Sequence, residues 1–177
     1  MSLIHGRPFR HVTIERGEDS LGHVLYRAFS DRFDPELDVS SRTNRTIEAA
    51  VDCALAGHAA EALLTGRNKW VGSTADRAHA IDMASYRCGS AQQVEAYIEW
   101  RRTVVVDSLR LSSRWDAVKV LAEALLERKR LTHKEARRIY LEVVAPPCPL
   151  LVPDATAVQA SLVSISKADD AAPAGGA

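Results

Sequence analysis

Apolar residues recur along this chain with two different periods. From Phe9 to Ile14 and from Leu21 to Tyr26 they alternate with polar residues, Val12 and Ile14 flanking Thr13, and the cluster Gly17, Glu18, Asp19, Ser20 between the two runs carries turn chemistry. This pattern predicts a β-hairpin. The polar stretch Ser30 to Arg42, with Asp34-Pro35 favouring a turn, predicts a surface loop.

The period then lengthens to that of a helix. Ile47, Ala50, Val51, Ala54, Leu55, Ala59, Ala62 and Leu63 share one face of a helix expected from Thr46 to Leu64, with Gly66 placed to cap its end. Gly57 inside that helix costs about 1 kcal/mol relative to Ala, so close helix packing is expected there. A second helix runs from Asp76 to about Arg87, with Ser73 or Thr74 as its N-cap, and is closed by Gly89. Ser90 caps a third, carrying Val94, Ile98, Val105 and Leu109. Ser112 or Ser113 caps a fourth, with Trp115, Val118, Leu121, Ala122, Leu125 and Leu126. Thr132 and Glu135 form a capping box for a fifth, which ends near Val144 where Pro146, Pro147 and Pro149 follow. The expected fold class is mainly α with a small β-hairpin or sheet near the N-terminus. Residues 1–145 form the expected domain, and 146–177, rich in Pro and Ala, the expected disordered tail. The weak alternation in Leu162, Val163 and Ile165 does not amount to a strand.

Composition narrows the function classes. Lys plus Arg and Asp plus Glu both number 23, which argues against a nucleic-acid partner, since phosphate contacts need excess positive charge. Aromatics are only 6% of a chain that is 46% hydrophobic, so the core is built from Ala, Val and Leu. No run of about 18 apolar residues predicts a membrane span, and no signal peptide is visible at Met1. Cys53, Cys88 and Cys148 have no CxxC spacing. They are expected as reduced structural thiols, and the location as cytoplasmic.

Candidate chemistry is sparse. Neither GxxxxGK[ST] nor GxGxxG occurs, so no nucleotide site is expected, and no GxSxG elbow occurs. The histidines His5, His11, His23, His58, His79 and His133 form no HxxxH pair. Asp76 and His79 share a helix face, but two ligands do not complete a zinc site. Asp76 itself opens a helix after the small-residue stretch Gly72, Ser73, Thr74, Ala75, where a carboxylate complements the helix dipole.

Three blocks nevertheless occur in a telling order: Gly6 to Ile14 followed by Ser20, Leu21, Gly22, His23, Val24; then Leu55, Ala56, Gly57, His58, Ala59, Ala60, Glu61; then Gly72, Ser73, Thr74, Ala75, Asp76. Together they resemble the peptidase domain of the FtsH-type zinc metalloproteases, with its Gly-x-Pro turn, Val-Thr-Ile strand, Leu-Gly strand, Gly-Arg-Ala-Ala-Glu helix and Gly-Ala-x-x-Asp segment. The resemblance implies that Asp76 is the third zinc ligand and Glu61 a glutamate beside the site that orients a ligand histidine. It implies that Leu21, Gly22, His23 and Val24 lie on an edge strand along which extended substrate adds. It further implies proteolysis, zinc, a protein or peptide substrate or partner, and an oligomer or an ATPase partner acting in trans.

The family's HExxH is missing. By the family's spacing it would fall just before Met1, so the expectation is an N-terminally truncated form. Such a form has no catalytic residue, does not bind zinc unaided and is inactive. Bare apolar faces would make it poorly soluble or self-associating. The alternative expectation is a non-catalytic module that binds peptides or a partner on the same fold.

Overall fold

The longest helix sets the frame. In the computed structural model, which describes residues 1–16, 22–30, 33–66 and 74–144, helix α1 spans Ser41–Thr65. It begins five residues before the expected Thr46, because Ser40 caps it: the Ser40 side chain accepts the Thr43 N–H at 3.3 Å. Asp38 reinforces this start by accepting the Thr43 hydroxyl at 2.5 Å and the Ser40 N–H at 2.8 Å. The end is as expected, with Gly66 in the left-handed region (φ 68°) and its N–H donated to the Ala62 carbonyl. The expected close packing at Gly57 is overturned: the position is exposed, and a Cβ there would meet nothing within 4 Å.

Helix α2 spans Thr74–Ser85, α3 Ala91–Arg110, α4 Ser112–Arg128 and α5 His133–Val144. Ser90 caps α3 by accepting the Gln93 N–H. Thr132 and Glu135 form the reciprocal capping box of α5, the Glu135 carboxylate accepting the Thr132 N–H at 2.8 Å while the Thr132 hydroxyl accepts the Glu135 N–H at 3.3 Å. The expectation for α4 needs correcting. Leu111 occupies the cap position without a side-chain bond, and Ser112 and Ser113 already lie in the helix. Thr74 is likewise the first residue of α2 and not a position before it, while Ser73 falls outside the described residues. That helix also stops two residues short of Arg87.

The hairpin forms from β1 (Phe9–Thr13) and β2 (His23–Tyr26), both slightly shorter than expected, with Leu21 and the turn outside the described residues. A strand without a pattern signal, β3 (Arg130–Thr132), pairs antiparallel with β1 on its other side, giving the order β2-β1-β3. Lys129 makes this possible. It leaves α4 in the left-handed conformation (φ 63°), turning the chain straight into the sheet.

The main core lies where α1, α2 and α3 meet, around Ile47, Val51, Leu55, Met83 and Val105. A smaller cluster of Phe9, Leu131, Ala136 and Ile139 joins the sheet to α5. Helix α4 buries only Ala117 completely, and Leu126 on it is 64% exposed. Among the described residues no helix is long and apolar enough to cross a membrane. The stretch expected as a tail, 146–177, lies outside the described residues.

Candidate functional site

Asp76 sits in the first turn of α2 and is exposed. Partial desolvation pushes its carboxyl above the usual range, against the opposing influence of His79 one turn along. Glu61 is exposed near the C-terminal end of α1, where its backbone carbonyl accepts the Thr65 hydroxyl at 2.8 Å. His58, three residues earlier, is buried. Among the described residues no group of three or more His, Cys, Asp and Glu side chains stands where it could hold a metal ion. Zinc in a hydrolase takes three protein ligands and keeps a position open for water. The described side chains do not supply that set.

The β2 strand is the more complete feature. It hydrogen-bonds to β1 on one side and forms one edge of the sheet. His23, Val24 and Leu25 on it are exposed. Gly22 precedes it where the backbone passes close to its neighbour: a Cβ at Gly22 would lie 2.7 Å from the Thr13 carbonyl oxygen. Leu21 is outside the described residues.

The pairing register divides the sheet into two faces of opposite character. Val12 pairs with Val24 and with Leu131, and this face turns inward. Val12 and Val24 line an apolar cavity of about 180 Å³ together with Leu3, Phe9, Leu121 and Leu125. On the other face, His11 and His23 are diagonal neighbours, their ring centroids 5.8 Å apart. Arg130 of β3 donates to His11 Nδ1 at 2.9 Å. Partial desolvation, then the charges of Arg130, His23 and Arg10, hold the His11 imidazole below its ordinary value, with Glu15 opposing them.

A group of residues with no motif ties the N-terminal segment and β2 to α1. Asp52 of α1 is 1% exposed. Its carboxylate accepts a paired contact from Arg101 of α3, at 2.8 Å from Nε and 2.5 Å from the terminal nitrogen, and a third bond from His5 Nε2 at 2.8 Å. Burial alone would raise the Asp52 carboxyl; the bonds from His5 and Arg101 outweigh it and hold it below the usual range. Beside it, the Ser2 hydroxyl bonds the Tyr26 hydroxyl at 2.9 Å and lies 3.4 Å from Cys53 Sγ. Burial pushes the Tyr26 phenol up to about 12. The Arg7 guanidinium covers the Tyr26 ring at 4.0 Å. The first seven residues thus tie β2 to α1, and Asp52 in turn ties α1 to α3. One signal for Asp52 was present in the chain: a carboxylate inside the apolar run Ala49, Ala50, Val51, Asp52, Cys53, Ala54, Leu55 must find a partner if that face is buried.

Comparison with known proteins adds no identity, since no family model and no curated protein matches the chain.

Proposed function

We propose that this chain is a peptidase-like domain of the FtsH type that engages extended polypeptide by adding it as a strand beside β2. The observation that carries the reading is β2 itself, an exposed strand paired on one side, next to an apolar cavity and fastened to the helical core through Tyr26 and Ser2. The three sequence blocks support the family. Asp76 and Glu61 are its proposed zinc-site residues, the one a ligand and the other orienting a ligand histidine. Because the chain contains no HExxH and the described side chains do not assemble a zinc centre, no hydrolytic step is assigned to these residues. The chain is read as binding polypeptide without cleaving it, in the cytoplasm, and cleavage would require the histidine pair and glutamate base of the family.

Hydrogen exchange tests this. Adding an unfolded protein such as reduced casein should slow amide exchange in the segment covering residues 22–26 and leave the casein intact. Protection confined to other elements would refute strand addition at β2. Cleavage that a chelator abolishes, or one zinc per purified chain, would refute the non-hydrolysing reading.

A further inference from the structure

A strand added beside β2 would continue the pleat of the sheet. Its side chains opposite His23 and Leu25 would fall on the outer face, and those opposite Val24 and Tyr26 on the inner face. The two faces offer different chemistry. Outside, His23, His11 and Arg130 stand in a row across three strands, linked by the ring contact and the Arg130–His11 hydrogen bond. Among the described residues, Glu15 opposes the cationic neighbours of His11 and accepts the Thr13 hydroxyl at 3.3 Å, and Glu135 is held by Thr132. No carboxylate among the described residues is hydrogen-bonded to His23, His11 or Arg130, and the row presents donors. Inside, the edge residue Val24 forms part of the wall of the apolar cavity.

From this division we infer that the β2 edge selects extended segments in which acidic and apolar side chains alternate. Acidic residues would face His23 with His11 and Arg130 behind it, and apolar ones would pack over Val24. The inference rests on the proposal that β2 accepts a peptide strand, and adds to it the class of strand accepted. It follows from charge complementarity on one face and burial of apolar area on the other. Arg130, on β3, lies three strands away from the added chain, so its share is long-range and weakens with salt.

The test uses the full chain and labelled synthetic peptides with alternating Glu–Val, Gln–Val, Lys–Val and Glu–Ser sequences, read by fluorescence anisotropy at low and high salt. Glu–Val should bind roughly fivefold tighter than Lys–Val at low salt, the scale of an exposed charge pair. The gap should shrink at high salt, and Glu–Ser should bind more weakly than Glu–Val. Arg130→Gln and His23→Ala should each narrow the gap, and Arg130→Lys should retain most of it. His23 and Arg130 are exposed, and circular dichroism of each variant checks the fold. Equal affinity for Glu–Val, Gln–Val and Lys–Val would overturn the selectivity while leaving strand addition standing. No binding by any peptide would overturn both. An acidic preference that survives N-methylation of alternate peptide nitrogens would overturn the inference as well, because the charge effect would then be surface adsorption without strand pairing.

Discussion

Asp52 is the residue on which most depends. A carboxylate buried to this degree is tolerable because three hydrogen bonds, two from one guanidinium, replace its hydration. Removing it leaves Arg101, itself 7% exposed, without its partner. Asp52→Ala should therefore cost about 3–5 kcal/mol in urea unfolding, the range for breaking a buried pair from one side. A loss within the range of surface substitutions would mean that Arg101 finds other partners. Gly57 is the opposite case. It sits exposed in the interior of α1 with open space where a Cβ would go. Gly57→Ala should raise stability by up to about 1 kcal/mol, since Ala loses less backbone entropy in a helix. A fall in the unfolding midpoint would show that the position has a packing role not visible in the structure.

Among the elements, β3 carries weight beyond its three residues. Leu131 is 0% exposed and belongs to the cluster with Phe9, Ala136 and Ile139. It pairs with Val12, whose other partner is Val24 on the candidate docking edge. Leu131→Ala should cost about 2–5 kcal/mol, as for other buried leucines, and should speed amide exchange in β1 and β2 as well as in α5. Faster exchange confined to α5 would mean that the hairpin stands without its third strand. No hydropathy period announces β3, because a three-residue strand holds a single inward side chain. Its pairing with β1 and the left-handed turn at Lys129 create it. The caps at Ser90, Gly66 and Thr132, by contrast, could be read from the chain, since each bond joins residues three or four positions apart.

For the whole molecule, the same buried carboxylate sets an acid limit. Asp52 titrates below its ordinary value of 3.8 in the folded chain. A group whose folded pKa is depressed contributes its stability above the unfolded pKa and loses it as pH falls through the folded one. Stability should accordingly be insensitive to this group at neutral pH and fall below about pH 3.8. Asp52→Asn should be less stable at neutral pH and show a shallower acid dependence in thermal melts. An unchanged acid slope would assign that dependence to other carboxylates. The fold class, the α1 and α3 faces and the hairpin were all legible in the amino-acid pattern, because periodic burial and capping act over a few neighbouring residues. Glu61 and Asp76 enter the proposed function through the family resemblance, and His23 and Val24 through that resemblance together with the edge position of β2. The linkage of His5, Asp52 and Arg101 and the row of His23, His11 and Arg130 were not. His5 and Asp52 are 47 positions apart, Asp52 and Arg101 are 49, and His11 and Arg130 are 119. The first group meets through the packing of helices, where desolvation requires the buried Asp52 to find an opposite charge, and the second through the pairing of β1 with β2 and β3. No local period encodes that requirement.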